Sequence, residues 1–94
     1  MVDTLVGSIV ISKSGHDKNH VYVVMEVESG FVYVVDGKLK TLDKPKKKNI
    51  KHIQMVNKKS DEIIEKIDNK ALRNEDVKRC IKLFKQEHQC EAYI

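Results

Sequence analysis

The chain has 94 residues, 40% of them hydrophobic, 34% charged and 5% aromatic, with no Trp. That length and balance describe one soluble globular unit, too short for a large enclosed pocket and too rich in apolar residues for a disordered chain. The net charge of +4 is unevenly spread: residues 1–37 hold two Lys and five acids, residues 38–59 nine Lys and one Asp, and residues 60–94 seven Lys or Arg and eight acids.

The N-terminus, Met1-Val2-Asp3-Thr4, lacks the basic-then-apolar pattern of a signal peptide. No apolar run approaches the ~20 residues of a membrane span. The expected location is therefore cytoplasmic, with no membrane partner. Leu5 to Ile11 reads as a first strand and His20 to Val27 as a second, joined by the long polar stretch Ser12-Lys13-Ser14-Gly15-His16-Asp17-Lys18-Asn19. Glu28-Ser29-Gly30 is a turn and Phe31 to Val35 a third strand. Asp36-Gly37 signals a tight hairpin into a fourth strand, Lys38 to Leu42, because such turns need positive φ. Asp43 to Asn49 follows, where Pro45 and mutually repelling lysines predict an extended, exposed basic loop. His52 to Val56 is a short fifth strand. Five short strands joined by tight turns predict a small antiparallel barrel.

The period changes after Lys58-Lys59. Ser60 caps a first helix whose opening acids, Asp61 and Glu62, suit the helix dipole. Asn69-Lys70 interrupts, and Asn74 is expected to cap a second helix with Val77, Cys80, Ile81, Phe84 and His88 on one face. The expected organisation is residues 1–58 as the barrel and residues 59–94 as a helical hairpin.

Candidates for chemistry are few. Cys80, His88 and Cys90 form the only local metal-ligand group, at spacings unlike those of a closed zinc site, so no metal and no cofactor is expected. Cys80 reads as a small core residue, and both cysteines as free thiols. No nucleophile elbow, phosphate-binding glycine loop or HExxH motif is present, and no enzyme is expected. The lysine block from 38 to 59 is an electrostatic footprint whose default partner is a polyanion. Tyr22, Phe31 and Tyr33 lie in apolar runs and are expected in the core, not as base-stacking platforms.

Gly7 to Val21, with Gly15 at its centre and Asp17-Lys18 matching the family's GxDKG string, resembles the KOW motif of ribosomal proteins and NusG-type transcription factors. Asp36-Gly37-Lys38-Leu39, Pro45-Lys46-Lys47-Lys48 and His52 add similarity to ribosomal proteins fourteen-e, six-e and twenty-seven-e. The resemblance covers about residues 5–56. It implies an SH3-like five-stranded barrel that binds RNA, above all ribosomal RNA, with ribosomal proteins as further partners. The residues implied are Lys13, Gly15, His16, Lys18 and Asn19 in the first loop, and Lys38, Lys40, Lys44, Lys46, Lys47, Lys48 and Lys51 beyond it. Alanine at Lys46, Lys47 and Lys48 is then expected to weaken RNA binding and leave the thermal midpoint nearly unchanged. Two residues depart from the family pattern. Asn19 replaces a second glycine, which the tolerance of Asn for left-handed backbone allows. His16 replaces an Arg and removes a permanent forked cation. The second reading is a protein-interaction module that docks partners through Val77, Ile81 and Phe84.

Overall fold

The computed structural model describes residues 5–87. Five strands, β1 (Ser8–Ser12), β2 (Val21–Glu28), β3 (Phe31–Val35), β4 (Lys46–Asn49) and β5 (Ile53–Lys59), precede two helices, α1 (Asp61–Asp68) and α2 (Asn74–Glu87). A 3-10 turn at Ile50–His52 leads into β5. The strands form one antiparallel sheet in the order β4-β3-β2-β1-β5.

Both faces of this sheet are apolar, which is why β1 is buried at every position. Alternation sends Ile9, Ile11, Val21 and Val23 to one face, where Ile63 of α1 and Val77, Ile81 and Phe84 of α2 cover them. It sends Val10, Tyr22, Val24, Val32 and Val34 to the other face. Ile53 of β5 joins that second cluster, which also holds Val32 and Val34 of β3, although two strands separate β5 from β3 in the sheet. The sheet therefore curls around its second core. Register shifts in β1 between Ser8 and Val10, and in β2 between Val24 and Glu26, supply local bending.

The curl stops short of the expected closed barrel. Among the described residues no ladder joins β4 to β5, because β4 is only four residues long and the chain then enters the 3-10 turn. There the Ile50 N–H donates to the Gly30 carbonyl in the β2–β3 turn instead of to a neighbouring strand.

The fourth strand is also displaced. Residues 38–42 are not a strand, because Asp36 folds them back on itself. Its Oδ1 accepts the N–H groups of Lys38, Leu39 and Lys40 at 2.9, 3.0 and 2.9 Å, a local capture that competes with sheet pairing. Gly37 sits at φ +80, and a Cβ there would lie 2.5 Å from the Asn74 carbonyl, so only glycine lets this loop touch α2. The strand forms instead from the supposed loop, with Val34 opposite Lys46, Tyr33 opposite Lys47 and Val32 opposite Lys48. A lysine-rich edge strand also resists pairing with other chains.

Ser60 caps α1 as expected, its Oγ accepting the Ile63 N–H. Asn74 does not cap α2. It lies inside the helix, and its Oδ1 accepts the Leu42 N–H. The cap position falls on Arg73, whose carbonyl accepts from Asp76 and Val77 and whose N–H donates to the Asp76 carboxylate, the return half of a capping box. No helix among the described residues is long and apolar enough to cross a membrane.

Candidate functional site

The antiparallel order brings the end of β1, the start of β2, the end of β3 and the start of β4 to one end of the sheet. The β5 start joins them, since Ile53 pairs with Ser12 and the Lys13 N–H donates to the His52 carbonyl. The glycine-centred loop and the lysine segment, far apart in sequence, thus meet.

Asp17 stitches them together. Its carboxylate accepts from Ser12 Oγ at 2.9 Å, Tyr22 Oη at 2.7 Å, Lys46 Nζ at 3.0 Å and Lys48 Nζ at 3.1 Å. Gly15 (φ +87) and Asn19 (φ 74) supply the two left-handed positions that aim Asp17 inward. The loop is closed by Asn19 N–H to the Ser12 carbonyl and His20 N–H to the Asp17 carbonyl.

This corrects the reading of the lysine segment. Because β4 is a strand, its side chains alternate. Lys46 and Lys48 point at Asp17, and Lys48 keeps only 8% of its exposure. Lys47 faces the other way, 4.5 Å above the Phe31 ring and 4.0 Å from Glu28. The expected free row of three cations is therefore one buried ion-paired lysine, one half-buried one and one lying on aromatic rings. Because the Lys48 ammonium is held inside against Asp17, alanine at all three is expected to lower the thermal midpoint and not to leave it unchanged. Tyr22 is a core residue as expected, whereas Phe31 and Tyr33 are half-buried beneath Lys47.

Lys13, Gly15, His16, Lys18 and Asn19 are exposed on the first loop, Lys38 and Lys44 are exposed on the β3–β4 connection, and Lys40 is half-buried there. Lys51 is exposed in the 3-10 turn. Asp17, Asp36 and the exposed Asp43 share this end, while Glu26 and Glu28 lie at the far end of β2 and Asp61, Glu62, Glu65 and Asp68 on α1. The lysines Lys78, Lys82 and Lys85 of α2, which the sequence reading passed over, come beside His20 and Lys38 at the basic end.

Three carboxylates have lowered pKa values; at Asp76 the bond from Lys66 and the Arg73 N–H hold the group down. Burial alone would raise the pKa of Asp17, but the bonds from Tyr22, Lys46, Lys48 and Ser12 outweigh it and hold the group well below the ordinary 3.8. Burial likewise opposes the lowering at Asp36, and the N–H groups of Lys38 and Lys40 together with His20 prevail. A carboxylate whose pKa is depressed by folding stabilises the protein above its unfolded value and loses that contribution as pH falls through the folded value. The thermal midpoint is thus expected to stay level from pH 7 to about 5 and to fall below about pH 4. Circular dichroism melts across that range check it, and a midpoint still level at pH 2 would contradict it.

The docking face proposed for a partner protein is closed. Val77, Ile81 and Phe84 are 0%, 7% and 3% exposed, packed against the sheet. Cys80 is half-buried beside the same core, and burial pushes its thiol pKa up. His88 and Cys90 lie outside the described residues. Among the described residues no group of three or more His, Cys, Asp or Glu gathers around a possible metal. No protein-family model matches the chain, and a search of curated proteins returns no match.

Proposed function

We propose that this chain is a non-catalytic RNA-binding protein with an SH3-like curled sheet, acting on ribosomal RNA or on the ribosome. The observation that carries the reading is the union, through Asp17, of the glycine-centred loop with β4 at one end of the sheet. That union leaves Lys13, Lys18, Lys38 and Lys44 exposed on the rim. Exposed lysines on short, shaped loops suit a phosphate backbone, which they attract whatever the base sequence. The resemblance to the KOW group supports ribosomal RNA as the target, and the strand order, the second core and the 3-10 turn before β5 support the SH3-like fold. With Tyr22 buried, contacts fall on phosphate and shape, and sequence selectivity is expected to be weak.

The test is a pull-down of the tagged chain from cell extract, with and without ribonuclease. Ribosomal material that is captured and then lost after nuclease supports the reading. Protein partners that persist unchanged after nuclease would favour direct protein contact instead.

A further inference from the structure

An open cleft of about 530 Å³ lies where α2 crosses the basic end of the sheet, beside the loop that Asp36 folds. Its size is that of a small-ligand site. Val21 of β2 and Ile81 of α2 belong to its lining, and the charged residues around them are Lys38, Lys78, Lys82 and Lys85. Residues 78, 82 and 85 follow i, i+4, i+7 spacing, so they share one face of the helix along a row of about 10 Å.

The charge of this cleft is only partly offset, four lysines standing against the single carboxylate of Asp36. Among the described residues, none of Lys38, Lys78, Lys82 or Lys85 has an ion-pair partner, whereas Lys46, Lys48, Lys58, Lys66 and Arg79 all do. The one acid in the lining, Asp36, is saturated by three backbone N–H groups and by His20 Nε2 at 2.7 Å. Complementing the helix dipole would account for Lys85 in the last turn of α2. It does not account for Lys78 in the first half of the helix, nor for Lys38 on the opposite wall. Val21 and Ile81 are only 6% and 7% exposed and form a mostly covered floor, so the row of unpaired cations decides the ligand, one that carries a chain of negative charges.

We propose that this cleft takes a stretch of single-stranded RNA backbone, its successive phosphates on Lys38, Lys78, Lys82 and Lys85. The inference rests on the RNA-binding reading and adds to it a second contact surface, on α2. A positively charged groove that tracks the backbone is what single-strand binders use to hold phosphates.

The test is an NMR titration of the full chain with a uridine decamer, repeated with a glutamate decapeptide, alongside fluorescence-anisotropy affinities for the same decamer. The decamer is expected to shift the backbone amides of Val21, Lys38 and residues 78–85, and the peptide to leave them in place. Lys78→Ala/Lys82→Ala/Lys85→Ala should weaken decamer binding roughly tenfold and flatten its log–log salt slope by about 2, at ~0.7 per single-strand phosphate. These side chains are exposed, and an unchanged thermal midpoint will show that the fold is intact. Decamer binding that shifts only the residue 13–19 loop and spares α2 would overturn the cleft while leaving the RNA reading standing. Equal shifts with the glutamate peptide would overturn it as an RNA site. If neither the decamer nor a structured ribosomal RNA fragment binds at low salt, both readings fall together.

Discussion

Replacing Asp17 with Asn is expected to lower the unfolding free energy by about 3 kcal/mol, the cost of removing one partner of a buried ion pair. For a domain of this size that is a fall of roughly 15 °C in Tm. The size of the effect comes from Lys48, which is 8% exposed and would keep a buried positive charge with no carboxylate to meet it. Asn preserves the shape but keeps one acceptor oxygen in place of two, so either the Ser12 or the Tyr22 hydroxyl must turn to accept from its NH2, and the loss combines the charge with one reversed hydrogen bond. Lys48→Met alone should cost less, because it leaves Asp17 with Lys46, Tyr22 and Ser12. The double variant Asp17→Asn/Lys48→Met should recover much of the single-site loss, since it removes the buried ammonium together with the carboxylate and leaves no unpaired buried charge. Urea denaturation of the four proteins gives the coupling. A single Asp17→Asn change within about 0.5 kcal/mol of the parent would show that the pair does not hold the loop to β4.

The second large effect falls on binding and not on stability. Lys13, Lys18 and Lys44 are exposed at the basic end and make no ion pair among the described residues, so their charge is available to a phosphate backbone. If about five phosphates are neutralised by the parent protein, its affinity for a structured RNA should fall a few hundredfold between 50 and 200 mM salt. Lys13→Ala/Lys18→Ala/Lys44→Ala removes three of those contacts, and the same change of salt should then cost only about tenfold. Its thermal midpoint should stay near the parent's, as exposed substitutions generally do. Lys70→Gln, on the turn between α1 and α2, is the control and should change neither quantity. A triple variant with the parent's affinity and salt slope would place the RNA contacts elsewhere on the molecule.

Much of the fold is legible in the sequence where a short-range signal agrees with the tertiary context. Phe31 to Val35 alternates and is bounded by Gly30 and Asp36, and it is β3 residue for residue. Ser60 precedes two acids and then an apolar pair, and it caps α1. The errors share a physical cause: side-chain bonds, one local and one long-range, that override the backbone pattern the residue types suggest. Asp36-Gly37 looks like a hairpin turn, but the Asp36 carboxylate gathers three following N–H groups and the loop docks on Asn74. Lys46-Lys47-Lys48 looks like a solvated loop because nothing local offers those ammonium groups a partner. Asp17, 29 and 31 residues away, is that partner for Lys46 and Lys48, and strand pairing with β3 does the rest.

The site was legible in the same measure. Asn19 takes the left-handed turn that its residue type allows, and the first loop does meet the lysine segment. The manner of meeting was hidden, since an acid and not a shared positive surface joins them. The lysines of α2 were visible as an i, i+4, i+7 series. Only the packing of α2 against the sheet, which turns Val77, Ile81 and Phe84 inward, shows that this series borders the basic end.

The most direct measurement of the central claim is the affinity of the intact chain for a structured ribosomal RNA fragment, titrated between 50 and 200 mM salt. RNA binding through the exposed lysines of one end of the sheet predicts a linear log–log plot and a loss of a few hundredfold over that range. Binding that is absent at 50 mM salt, or equally tight at both concentrations, would contradict it.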